Sequence, residues 1–400
     1  MATMTDKNMS TVPYGRLGLV ALESCRDLGR LVDQWLVTWR KKRQSPAMDS
    51  FAFEGYARDS FIINAQTPRF GSGEGKGVIS ESIRGDDLYL LVDVCNYSTT
   101  YQIGRCVNLM SPDDHYQDLK RVIAAIGGKA RRINVIMPYL YEGRQLQRSG
   151  RESLDCATAL HELTYMGVEN IITFDAHDSR IQNATPLQGF ETVQASYQFI
   201  KALLSVQEGL HIDNEHFMII SPDEGSMNRA IYLANILGVD MGMYYKRLDY
   251  SRYVNGRHPI AAFEFLGPKL EGKDVILIDD MISSGDTALE ISELLKKRGA
   301  GKIFICATFG IFSDGLQKFD EAHSAGVFDR LLTTNLVYQR PDLLKKSYYT
   351  SVDMSKYIAL IIDTLNHDLS ISKLLNPVDR IHRAVSKYQN SQKITQEADD

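Results

Sequence analysis

The sequence is poor in the features that would carry a protein out of the cytoplasm or onto a polymer. Its five cysteines (Cys25, Cys95, Cys106, Cys156, Cys306) are odd in number, scattered and free of any CxxC spacing, which argues against a disulfide framework or a zinc site. No apolar run reaches the ~18 residues of a membrane span, and the opening MATMTDKNMS lacks the apolar core of a signal peptide. A reducing, cytoplasmic setting is expected. The net charge of -5 and pI near 6.0 offer no basic field for nucleic acid or anionic membrane, so the expected partners are small molecules. There is no low-complexity tract to act as a linker.

What is present is a soluble, core-forming composition. The 400 residues are 44% apolar and 24% charged, and at ~150 residues per domain the simplest reading is two large domains. Strand-like apolar runs alternate with helical patterns in both halves. Strands are expected near Leu17–Leu22, Phe61–Asn64, Leu88–Val94, Ile133–Met137 and Ile171–Phe174, then near Phe217–Ser221, Met241–Tyr245, Val275–Ile278, Ile303–Thr308 and Leu331–Thr334. Helices are expected near Ser24–Arg40, Tyr116–Ile126 and Ser153–Met166, then near Met227–Leu237, Ala288–Arg298 and Lys356–Leu365. Runs with little polar alternation belong to strands covered on both faces. The fold class is therefore α/β, as two tandem doubly wound parallel-sheet domains over 1–190 and 191–400, joined near Gln188–Ser196. Lys41–Tyr56 reads as a surface loop and the polar tail 389–400 as a fraying end.

The strongest chemical signal is the stretch from Val275 to Thr287. An apolar strand delivers Asp279 and Asp280 at its C-terminal end, and a short turn, Ser283-Ser284-Gly285-Asp286-Thr287, leads into a helix with Leu289, Ile291, Leu294 and Leu295 on one face. Open α/β sheets bind ligands at such strand ends. Gly285 lets backbone approach an anion, the helix N-terminus supplies free N–H groups, and Ser283, Ser284 and Thr287 add hydroxyls. The two acids can accept from sugar hydroxyls. Taken alone, the same residues also read as exposed acids beside a capped helix.

This block resembles the phosphoribosyl pyrophosphate motif shared by type I phosphoribosyltransferases and phosphoribosyl pyrophosphate synthetases (ribose-phosphate pyrophosphokinases). Further blocks resemble the synthetases, in order along nearly the whole chain: Arg69-Phe-Gly-Ser-Gly-Glu74 with Ile79–Gly85, Pro138–Gln145, Ile171–His177, Ser221–Gly225 and Tyr245-Lys246-Arg247. The resemblance implies domains of the type I phosphoribosyltransferase kind and transfer of the β,γ-diphosphoryl group of ATP to the C1 hydroxyl of ribose 5-phosphate. It assigns ATP to Phe70, Ser72, Glu74, Arg144 and Gln145, and ribose phosphate to Asp279, Asp280, Ser283, Ser284, Gly285, Asp286 and Thr287. His177 and Asp223 are assigned to an Mg2+ site, Lys246 and Arg247 to catalysis, and Asp249–His258 to a loop closing over substrate. A homo-oligomer, commonly a hexamer in the family, is implied as well.

Departures keep two alternatives open. The synthetase loop usually reads Asp-Thr-x-Gly-Thr, whereas Ser283 and Gly285-Asp286 stand here, a form leaning toward phosphoribosyltransferases. Leu248 occupies the place of a loop arginine, for which Arg247 or Arg252 is the substitute. The alternatives are a non-catalytic synthetase-associated subunit and a phosphoribosyltransferase. Gly71–Gly77 imitates a Walker A loop, but its spacing is one residue short and Gly77 replaces the required Ser/Thr.

Overall fold

Buried apolar runs make most strands of the two larger sheets, and amphipathic stretches make the helices. The structure, a computed structural model, describes residues 12–45, 48, 50–145, 148, 150–248, 251 and 260–399. In chain order the strands are β1 (Arg16–Ala21), β2 (Ala65–Gln66), β3 (Val78–Ile79), β4 (Asp86–Leu91), β5 (Thr100–Ile103), β6 (Cys106–Leu109), β7 (Arg132–Ile136), β8 (Asn170–Phe174), β9 (Gly189–Val193), β10 (Phe217–Ser221), β11 (Asp240–Leu248), β12 (Ile260–Leu266), β13 (Asp274–Ile282), β14 (Ile303–Gly310), β15 (Arg330–Thr334) and β16 (Tyr349–Val352). The helices are α1 (Arg26–Arg43), α2 (Pro112–Ile126), α3 (Asp155–Tyr165), α4 (Ser196–Val206), α5 (Met227–Leu237), α6 (Asp286–Lys297), α7 (Gln317–Ser324), α8 (Ser355–Asn366), α9 (Ser372–Leu375) and α10 (Val378–Asp399).

Two units share the chain. The first takes the described part of 1–194 together with 335–338 and 353–375, and the second takes 195–334, 339–352 and the described part of 376–400. The late segments of the first unit fall where the sequence reading puts the C-terminal domain.

The first unit holds the parallel sheet β1-β4-β7-β8-β9. Phe61–Ile63 flanks β1 on its other side, since the Leu19 N–H donates to the Phe61 carbonyl and the Ile63 N–H to the Leu19 carbonyl, both at 2.8 Å. The predicted strand there shrinks to one parallel bridge, Leu19 to Ile62. The order thus reverses between β1 and β4, the topological switch of a doubly wound sheet. Leu28, Val32 and Leu36 put one stripe of α1 into the core. Ser111 and Asp114 close a capping box on α2 with Pro112 in its first turn, and Gly127 ends it in the left-handed conformation.

Two buried ionic clusters fasten this unit. Arg132 makes a two-point pair with Asp87, at 2.7 and 2.8 Å. Asn134 and Asn366 add hydrogen bonds to the same carboxylate. Arg40, fully buried, donates to Asp363 and Asn366 of α8, and Arg43 reaches the other oxygen of Asp363 at 2.5 Å. Pairing and multiple hydrogen bonds are what make such buried charges tolerable.

The second unit holds the sheet β12-β11-β10-β13-β14-β15-β16, parallel throughout except for β12, an antiparallel edge strand. Its order reverses between β10 and β13. Helix α10 packs on α4 and α5, where the Tyr388 hydroxyl donates to the Gln207 carbonyl and accepts from the Leu210 N–H.

Several sequence expectations need correction. The stretch Gln188–Ser196, read as a joint, does hold the step from the first unit to the second at Gln194–Ala195, but it also contains β9, a fifth strand whose Gly189–Val193 pairs along β8. The tail read as fraying from Gln389 continues α10 to Asp399. In Lys41–Tyr56, α1 runs on to Arg43, Phe51–Phe53 forms a short 3-10 turn and Tyr56 is buried. The hairpin β5–β6 and helices α4 and α7 had no counterpart in that reading.

Candidate active site

In the second unit the switch point gathers the acids. Strand β13 delivers Asp279, partly buried, and Asp280, buried. The turn after β10 brings Ser226, whose hydroxyl donates to Asp279 Oδ1 at 2.5 Å. The Asp280 N–H donates to the same oxygen at 2.8 Å. Burial, followed by the charge of Asp280, holds the Asp279 carboxyl above the usual carboxylate range; Asp223 adds to the rise and Ser226 opposes it. A cation beside these groups would relieve the repulsion.

Asp223 lies in that same turn, its carboxylate accepting from the Gly225 N–H at 3.0 Å and its carbonyl from the Ser221 hydroxyl. Among the described residues no group of three or more His, Cys, Asp or Glu side chains is placed to hold a metal.

The turn Ser283–Gly285 follows β13 and leads into α6. Gly285 caps α6 in the left-handed conformation (φ 88°), and a Cβ there would stand 2.2 Å from Phe319 Cζ. Only glycine meets both demands. The Ser284 hydroxyl donates to Asp286 at 2.8 Å, and Ser283 lies 3.3 Å from the Ser313 hydroxyl. Thr287 occupies the first turn of α6. Asp286 is paired with Lys318 of α7, which donates to it at 2.7 Å and lowers its carboxyl pKa. Ser226, Ser313 and Lys318 are additions that the local motif did not reveal.

Lys246 and Arg247 lie within β11, opposite Phe263 and Ala262 of β12, rather than in a loop. Arg247 pairs with Glu264 at 2.9 Å in an exposed bridge, an interaction of small net worth. The side chain of Lys246, and Asp249–His258 including Arg252 but not Ser251, lie outside the described residues.

In the first unit, helix α2 anchors both segments that the family resemblance assigns to ATP. Arg69 pairs with Asp118 at 3.0 Å and lies over the Tyr101 ring at 5.0 Å. The Tyr141 hydroxyl donates to Asp113 at 2.6 Å, and its ring stacks on Tyr116 at 4.3 Å. Between these anchors, Phe70 is 53% exposed, and the Ser72 hydroxyl donates to Glu74 at 2.9 Å. Arg144 and Gln145 are exposed on a turn where Glu142 takes a positive φ of 52° and accepts from the Gln145 side chain. The Walker-like glycines prove structural: a Cβ on Gly77 would lie 2.2 Å from the Arg121 carbonyl of α2, and no helix follows directly.

His177 is exposed just beyond β8, two residues after Asp175, a buried non-glycine residue with φ of 35°. Such a conformation costs about 1–3 kcal/mol and is concentrated at functional turns.

Comparison with known proteins agrees with this architecture. Residues 17–167 match the family model described as the N-terminal domain of ribose phosphate pyrophosphokinase, and residues 261–376 match the phosphoribosyl synthetase-associated domain. The chain is 29% identical over 317 residues to the ribose-phosphate pyrophosphokinase of Shewanella oneidensis and 27% identical over 318 residues to that of Vibrio parahaemolyticus. Each alignment covers 78% of this chain and 91% of the relative. The crystal structure of phosphoribosylpyrophosphate synthetase from Mycobacterium smegmatis superposes with a TM-score of 0.68 at 20% identity, covering 88% of this chain and 99% of that one, a likeness of fold. With both family models matched in order and the relatives aligned along most of their length, the chain belongs to the ribose-phosphate pyrophosphokinase family, a family of enzymes.

Proposed function

We propose that the chain transfers the β,γ-diphosphoryl group of ATP to the C1 hydroxyl of ribose 5-phosphate, giving phosphoribosyl pyrophosphate and AMP. The observation that carries this reading is the acid pair Asp279/Asp280 at a sheet switch point, directly before a glycine-capped helix N-terminus. Asp279 and Asp280 accept from the ribose hydroxyls. The turn Ser283–Thr287 cradles the 5-phosphate with N–H and hydroxyl donors, and Lys318 can transfer its ammonium from Asp286 to that phosphate.

Phosphoryl-type transfer needs positioning and charge neutralisation more than covalent help. Phe70 packs on adenine, Ser72 and Glu74 take its polar edge, and Arg144 and Gln145 hold the polyphosphate. Lys246 places its positive charge on the diphosphoryl group as charge builds there, with Arg247 as its companion. Mg2+, held through Asp223 and oriented with the help of His177, would neutralise the phosphate oxygens when bound. A homo-oligomer, with a hexamer as the first expectation, and a cytoplasmic location complete the proposal.

The test is to mix purified chain with ribose 5-phosphate, ATP and Mg2+ and measure AMP. AMP formation by the chain alone supports the proposal. AMP only after a synthetase subunit is added would make this chain a regulatory partner. Release of pyrophosphate from phosphoribosyl pyrophosphate with a nucleobase would make it a phosphoribosyltransferase.

A further inference from the structure

The two sheets reverse their strand order in the same manner, and the first unit carries a crevice at its own switch point. In the second unit the reversal between β10 and β13 holds the acids and the anion loop. In the first, the reversal between β1 and β4 opens into a cavity of about 530 Å³. Leu22, Glu23 and Arg26 line it from beyond β1, Arg69 from beyond β2, and Thr100 to Gln102 with Val107 from the hairpin β5–β6. Its size lies within the ordinary range for small-molecule sites, about 300–1,000 Å³.

The lining defines what it would take. Its two arginines each face a carboxylate already, Arg69 in a largely buried pair with Asp118 at 3.0 Å and Arg26 in an exposed bridge to Glu23 at 2.6 Å. The nearby N-terminus of α2 is closed by its own capping box, so it is not open to an anion as α6 is. Gln66, Thr67, Thr100 and Gln102 supply carboxamides and hydroxyls. The Tyr101 ring and Val107 supply apolar surface, and Val107 stays 63% exposed although it is aliphatic.

Paired charges, neutral donors and acceptors, and uncovered apolar surface together suit a polar heterocycle without a phosphate. We propose that this crevice is a second binding site, for an uncharged nucleoside. The occupant presses on one side of a hairpin whose Gly104 N–H donates to the Gly71 carbonyl at 3.0 Å. It therefore touches the support of the Phe70–Glu74 turn without sharing its residues. The proposal stands on the first unit alone and does not depend on the outcome of the AMP assay.

The test is titration calorimetry of the full chain with adenosine, guanosine, cytidine and uridine, each compared with its 5′-monophosphate. At least one nucleoside should bind, and its monophosphate should bind about tenfold more weakly or worse, since the phosphate would meet Glu23 and Asp118 and would have to break one of their ion pairs to gain a cation. Val107→Trp, which fills the crevice from an exposed position, should abolish the heat; Gln102→Leu, which removes a polar partner without adding bulk, should weaken it. Leu187→Ala, at an exposed residue outside the crevice, should leave it intact. Absence of heat from all four nucleosides would overturn the proposal, as would tighter binding of the monophosphates. Heat that survives Val107→Trp but is lost in Phe70→Ala would do the same, by placing the nucleoside at the turn.

Discussion

Ser226 donates a hydrogen bond to Asp279 across the switch point of the second sheet, at 2.5 Å. A hydroxyl from one loop thereby favours the ionised form of an acid that burial and its neighbour Asp280 push toward protonation. Ser226→Ala should raise the Asp279 pKa further. If the ionised acid binds ribose 5-phosphate, the acid limb of kcat/KM against pH moves upward, by about one pH unit for each ~1.4 kcal/mol lost. An unmoved limb would remove Asp279 from that role.

Gly285→Ala should damage both fold and substrate affinity. The left-handed backbone costs a non-glycine residue about 1–3 kcal/mol, and the new methyl meets Phe319. Urea unfolding should show the loss, with a raised KM for ribose 5-phosphate. Adding Phe319→Leu should recover the packing part alone.

Lys246→Ala should cut kcat by about a hundredfold or more, as loss of a transition-state charge partner does. Circular dichroism should stay unchanged, and KM for ribose 5-phosphate should move little. Turnover close to that of the parent would exclude the lysine from catalysis.

Replacing Asp87 by Leu strands Arg132 in the first unit's core. Breaking one side of a buried pair costs about 3–5 kcal/mol, measurable by denaturant titration. An effect below ~1 kcal/mol, the level of an exposed pair, would mean that the cluster relaxes or admits water.

Asp93, buried at the end of the β4 ribbon, has its pKa raised to about 7 by burial, against two backbone N–H donors from Cys95 and Tyr338 that lower it. Its folded pKa exceeds the ordinary carboxylate value of about 3.9, so the native chain binds the extra proton. Stability from this residue is fullest below that ordinary value and declines as pH rises to about 7, by up to ~1.4 kcal/mol per pH unit. Asp93→Asn should flatten that decline in unfolding experiments run across the pH range.

The strand-to-helix block was legible because its meaning is local. Val275 to Ile278 are continuously apolar, Asp279 and Asp280 follow at once, and Gly285 precedes a helix with a clean apolar face. Ser226 and Lys318 carry no such mark, for they reach Asp279 and Asp286 from 53 and 32 positions away in sequence. Phe61–Asn64 looked like a strand by composition but finds a single bridge beside β1, an outcome decided by tertiary space. The hairpin β5–β6 did leave a signal: Gly104 at a turn between two short runs, with φ of 58°. Its mixed, exposed residues hid it among loops. Lys246 and Arg247 extend β11 past the apolar run Met241–Tyr245, because an edge ladder with β12 holds them, which their polarity does not reveal.

The route of the chain has a consequence for biogenesis. Arg40 becomes a buried residue early in the sequence, yet its partners Asp363 and Asn366 belong to α8. During synthesis the first sheet must wait for nearly the entire polypeptide before that guanidinium is neutralised. A fragment stopped at residue 194 would lack α8, leave the α1 face around Arg40 without its cover and its carboxylate, and would be expected to emerge aggregation-prone and dependent on chaperones.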